Sequence, residues 1–100
     1  MTFIPATGAK DYVVAMPSAN TQYPFSIPDG TKAIEFKARE AFDVLHSLTD
    51  GAVDTNTPPG PYMTLISGNS YVKDRLVIGT GTLYFACASA GKNVEIRIWS

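Results

Sequence analysis

A two-residue alternation restricts this chain more than any other feature. Between Ala33 and Arg39, Ile34, Phe36 and Ala38 alternate with Glu35, Lys37 and Arg39. Between Val94 and Trp99, Val94, Ile96 and Ile98 alternate with Glu95, Arg97 and Trp99. Successive side chains of a strand point to opposite faces, so each run predicts a strand with one dry face and one wet face. Helices are left little room. Pro5, Pro17, Pro24, Pro28, Pro58, Pro59 and Pro61 interrupt most of the first two-thirds. Each proline removes a backbone donor and clashes with the turn before it.

Further strands are predicted at Asp11–Met16, Thr21–Ile27, Tyr62–Ser67, Ser70–Lys73, Arg75–Gly79 and Leu83–Ala88. Pro24 suits its strand to an edge or a bulge. Pro28-Asp29-Gly30 reads as a turn, with proline fixing φ and glycine accepting a positive one. Ala41–Leu48 fits a strand by the alternation of Phe42, Val44, His46 and Leu48. A short helix over Glu40–Leu48 is the competing reading, and the β-like flanks favour the strand. Thr49–Pro61 is dense in turn residues and reads as a long loop. Leu83–Ala88 and Val94–Trp99, separated by Ser89–Asn93, read as a terminal hairpin. About eight or nine short strands at spacings of about 8–12 residues predict an all-β fold, an antiparallel β-sandwich of jelly-roll-like type. Residues 11–100 form its single domain, and residues 1–10 an irregular arm. Phe3 and Ile4 are apolar for a free tail, which predicts that the arm docks, on its own domain or on a neighbour.

Composition excludes several classes of function. Eight Lys and Arg against nine Asp and Glu give a formal net charge of −1. The basic residues are scattered among acids, so nothing gathers the positive charge that phosphate binding requires, and no nucleic acid is expected. Cys87 is the single cysteine. It permits no intrachain disulfide and no four-ligand zinc site, and reads as a small buried hydrophobe. No basic stretch leading into an apolar one predicts a signal peptide. No apolar run approaches the about 20 residues that cross a bilayer, so no membrane partner is expected. The expectation is a chain made and folded in a reducing cytoplasm.

Candidate chemistry is sparse. His46, the one histidine, has Ser47 beside it in sequence but on the opposite face of a strand, so it reads as structural. Asp50, Asp54 and Asn56 lack the spacing of a calcium loop. Gly79-Thr80-Gly81-Thr82 precedes a strand rather than a helix, and reads as a turn, not a phosphate cradle. Glu40 and Asp43 are close in sequence, but so short a domain has little material for a deep cleft. No enzyme, cofactor or metal is expected. Tyr12, Tyr23, Tyr62, Tyr71, Tyr84 and Trp99 allow two readings. They either stack on sugars, making a carbohydrate- or host-surface-binding module, or cap the core with their polar tips in water.

Three segments together resemble a known group. "IPDGTKAIEFKARE", "YMTLISGNSYVKDRLVI" and "GTLYFACASAGKNVEIRIWS" resemble small β-sandwich virion proteins of tailed bacteriophages. The likeness rests on Pro28-Asp29-Gly30-Thr31-Lys32, on Gly68, Ser70 and Tyr71, and on Thr82-Leu83-Tyr84-Phe85 with Trp99. It covers about seventy residues as a set and is poorest before Ile27. It implies a capsid decoration (cement) protein on the outer capsid surface of the virion, synthesised in the bacterial host. The implied partners are the major capsid protein and further copies of the chain, as a homo-oligomer: a trimer by the symmetry of capsid sites, with a dimer as the alternative. It implies no catalytic residue. Candidate interface residues are Phe3 and Ile4 in the arm and Arg97 and Trp99 on the last strand. Trp99 is read either as an interface anchor or as a lid over the end of the sandwich.

Overall fold

A computed structural model describes residues 8–54, 60–74 and 81–100, and places eight strands within them. They are β1 (Ala9–Met16), β2 (Tyr23–Ile27), β3 (Ala33–Ala38), β4 (Val44–Ser47), β5 (Met63–Leu65), β6 (Ser70–Asp74), β7 (Gly81–Ala86) and β8 (Lys92–Trp99). No helix occurs among the described residues. The strands form two four-stranded antiparallel sheets, in the orders β1-β8-β3-β6 and β2-β7-β4-β5. These will be called the first and second sheets. Both orders follow from wrapping a long antiparallel ribbon around a barrel axis, which is the jelly roll. The expected all-β sandwich is therefore the fold.

Alternation assigns the faces. In β3 and β8, Ile34, Phe36, Val94, Ile96 and Ile98 turn inward and are buried. From the second sheet come Phe25, Val44, Leu65, Leu83 and Phe85, with Met16 and Cys87 completing the centre. Phe36 is its hub. Its ring stacks on Tyr71 at 4.8 Å and meets His46 and Phe85 edge-on at 4.9 and 5.1 Å. Pro24 lies on β2, an edge strand, where a missing donor costs no ladder bond. The turn at Pro28-Asp29-Gly30 forms as read: Gly30 has φ 80°, and the Thr31 N–H and hydroxyl both donate to the Pro28 carbonyl, at 3.3 and 2.7 Å.

Several expectations change. β5 shortens to Met63–Leu65, β2 begins at Tyr23, and Gly81 and Thr82 open β7 instead of turning. Three others bear on the fold. The terminal hairpin does not form: β7 pairs with β2 and β4, whereas β8 pairs with β1 and β3. Five residues reach at most about 17 Å, enough to cross the about 10 Å between packed sheets as well as to close a hairpin. Loop length therefore does not decide between them. The long-range ladders do, because β8 is paired along both edges only when it lies between β1 and β3. Next, the first strand begins at Ala9 rather than Asp11. Ala9 and Lys10 sit opposite Trp99 and Ile98, so these two residues of the expected arm belong to the sandwich. Finally, the strand in Ala41–Leu48 forms but spans only Val44–Ser47. The predicted strand at Arg75–Gly79, like Phe3 and Ile4, lies outside the described residues.

Candidate interaction surface

The two sheets present different outer faces. On the second sheet, Ser47 and Ala86 point outward by alternation yet are buried, as are Ala52 and Val53 of the following loop. That pattern is a loop folded back over its own sheet. The Ser47 hydroxyl fastens it, donating to the Pro61 carbonyl at 2.7 Å and accepting from the Thr49 N–H at 3.0 Å. Gln22 clamps it from the other side. Its backbone N–H donates to Asp54 at 3.0 Å, its side-chain amide donates to Asp50 at 2.7 Å, and its side-chain carbonyl accepts from the Gly51 N–H at 2.6 Å. Both loop carboxylates therefore serve amide donors.

The outer face of the first sheet carries the charge. Register sets its side chains in rows across the strands. Asp11, Arg97 and Glu35 make one row, and Val13, Glu95, Lys37 and Ser70 the next. Arg97 grips Asp11 with two parallel bonds, Nε to Oδ1 at 2.6 Å and Nη2 to Oδ2 at 3.0 Å. This fork holds the Asp11 carboxyl below its ordinary range and raises the Arg97 guanidinium above its own. Glu95 receives Arg39 Nε at 2.9 Å, with Lys37 Nζ at 3.9 Å. Three acids and three bases thus balance over an open concavity of about 450 Å³. Its walls are neutralised and oriented by their own pairs, which gives a patterned polar plate rather than a pocket for an ion. Trp99 stands on the same face, half-buried between Ala9 and Ala33 in its row. Arg97 and Trp99 are therefore brought together on one face, as expected.

The remaining candidates disperse. His46 is 6% exposed, in edge contact with Phe36 and Tyr71. Burial pushes its imidazole below the ordinary value of 6.5. It faces the core while Ser47 faces outward, the geometry of a structural histidine. Cys87 is buried. Glu40 meets Lys92 at 3.3 Å and Asp43 accepts from the Ser67 N–H at 2.7 Å, so that pair is divided between separate partners. No cluster of three or more potential metal ligands occurs among the described residues. Tyr12, Tyr23 and Tyr71 pack against the core. Tyr84 faces outward from the second sheet, Trp99 from the first, and Tyr62 is exposed beside β5, so they form no common platform.

Reading the sequence alone passed over Asp11, Glu35, Lys37, Arg39 and Glu95 as a group. Glu35, Lys37, Arg39 and Glu95 were visible as outward residues, and Asp11 only as the start of a strand. Their rows depend on pairings as distant as Asp11 with Arg97, which no local pattern records.

No protein-family profile matches this chain, and no curated protein matches it in sequence. Among solved structures, a de novo designed double-stranded β-helix determined by solution NMR is similar over 93% of this chain and 97% of its own. The two share 18% sequence identity, with a TM-score of 0.49.

Proposed function

We propose that this chain is a non-enzymatic structural protein of a tailed-phage particle, a decoration protein that grips the major capsid lattice from outside. The observation that carries this reading is the outer face of the first sheet, a broad charge-balanced plate on a rigid sandwich. Complementary patterns of fixed charge give specificity and register between proteins even where individual exposed pairs contribute little stability. Arg97, preoriented by Asp11, and Trp99 are the contacts assigned to the lattice, both belonging to residue types enriched at binding hot spots. The arm at residues 1–7, with Phe3 and Ile4, reaches a neighbouring subunit. The resemblance to phage virion proteins supports the same reading.

Co-sedimentation with empty capsids that lack the chain tests it. Wild-type protein pellets with them. Arg97→Glu, which sets three carboxylates in one row, and a chain lacking residues 1–7 pellet at least tenfold less well, while Ser26→Glu on the other sheet behaves as wild type. Equal pelleting of all four, or none by the wild type, contradicts the assignment.

A further inference from the structure

Four strands end the two sheets, and three are blunted against pairing. Lys10 and Asp11 place exposed charges on β1. Pro24 removes a donor from β2, and the sequence of β6 includes Lys73 and Asp74. Charges and proline are the usual protections of a free sheet edge. The fourth edge, β5, has neither. Thr55 to Val72 contains no charged residue, and among the described residues no strand pairs with the far side of Met63–Leu65.

Apolar surface collects at this edge. Leu48, Tyr62, Met63 and Ile66 are 59%, 42%, 62% and 59% exposed, and they are four of the six large hydrophobic residues that stand out from the described surface. The other two, Val13 and Val72, lie on the charged face of the first sheet.

We infer that β5 is the seam of a two-fold dimer, in which a second copy of this chain lays its own β5 antiparallel alongside and extends the second sheet across both molecules. The sequence of the strand is self-complementary about Thr64. A two-fold axis perpendicular to the sheet at that residue sets Thr64 opposite Thr64 of the second copy. Tyr62 then meets Ile66, and Met63 meets Leu65, each twice. Aromatic with β-branched and threonine with threonine are favourable cross-strand pairs. A face-preserving shift one way sets Tyr62 opposite Thr64 and Pro61 opposite Leu65, and the other way sets Tyr62 opposite Gly68; both lose the aromatic pair, and the first also places a proline in the ladder. An uncharged edge also meets its own copy without repulsion. The seam is one three-residue strand with its flanking residues, short of the about 800 Å² per copy of a standard interface, so the dimer belongs to the weak class and forms at high local concentration.

The test uses the isolated full chain, so its outcome is independent of capsid binding. Sedimentation velocity from about 1 to about 500 μM, the range a small interface calls for, shows monomer converting to dimer. Thr64→Lys sets two like charges opposite each other at the axis. It keeps the wild-type circular dichroism and raises the dimer dissociation constant at least tenfold. Thr64→Cys forms a disulfide-linked dimer on mild oxidation, because antiparallel partners lie about 4.5–5.5 Å apart at Cα, within disulfide reach. Ser26→Cys, exposed on the opposite edge, links far less; both variants retain buried Cys87. Wild-type protein that stays monomeric throughout, Thr64→Lys that dimerises like wild type, or Thr64→Cys that links no better than Ser26→Cys overturns the inference. The cysteine pair decides the matter even where Thr64→Lys fails to fold.

Discussion

Replacing Phe36 with alanine strikes the point where the two sheets meet. Phe36 is 1% exposed, lies on β3 between β8 and β6, and makes the three ring contacts already described. Truncating a buried phenylalanine costs about 3–5 kcal/mol, from lost transfer energy together with the cavity left behind. Each aromatic contact contributes about 0.5–1.5 kcal/mol beyond burial, which places this site in the upper half of that range. A domain of this length has about 5–15 kcal/mol in total. The melting temperature should fall by about 16–40 °C, at about 4–8 °C per kcal/mol. Phe36→Leu keeps more of the volume but loses the three ring contacts, and should cost about 1.5–3 kcal/mol, less than Phe36→Ala. Urea titrations followed by the fluorescence of the single tryptophan, with the three proteins in parallel, give the values directly. A loss below about 1 kcal/mol for Phe36→Ala, with an unchanged dependence on urea, would refute Phe36 as the hub and with it the face assignment of β3.

Three further outcomes follow from the geometry. Burial lowers the His46 pKa, so below the unfolded value of 6.5 the unfolded chain binds the proton more readily. Stability is then complete above pH 6.5 and declines below it, by at most about 1.4 kcal/mol per pH unit, until the folded-state pKa is passed. His46→Leu should lose less stability than wild type between pH 7.5 and 5.0, and equal losses would contradict this. Trp99→Ala should cost about 2 kcal/mol, less than a fully buried tryptophan, and weaken capsid uptake at least tenfold. Unchanged melting and uptake would remove Trp99 from both roles. Gln22→Ala should release the Thr49–Asp54 turn, seen as faster hydrogen exchange at the Gly51 amide, while global stability falls by about 1 kcal/mol; unaltered exchange would show that the clamp does not hold the loop.

Strands were legible here because each is a local object. Ile34, Phe36 and Ala38 reveal their inward face within seven residues, as do Val94, Ile96 and Ile98 in β8. Sheet membership was not legible. The Ser89–Asn93 connection has the same composition whether it closes a hairpin or crosses the sandwich, and the pairing that decides it joins residues at opposite ends of the chain. The candidate surface was half visible for the same reason: Arg97 and Trp99 declared themselves by alternation, but the Asp11 fork and the Glu95 cluster required the register. Tyrosine exposure was hidden as well. A tyrosine fits a wet edge or a core rim, and only packing showed that Tyr12, Tyr23 and Tyr71 belong to the rim. The burial of Ala52 and Val53 over their own sheet left a faint trace, two apolar residues within a run of polar ones.

The most direct test of the account is a saturation binding curve on purified, empty tailed-phage capsids from which this protein is missing. Uptake that saturates at a constant whole number of chains per capsid site, and that restores resistance of the shell to heat, is the predicted result. Absence of binding, or uptake that rises with concentration without reaching a plateau, would contradict the assignment of this sandwich to the capsid lattice.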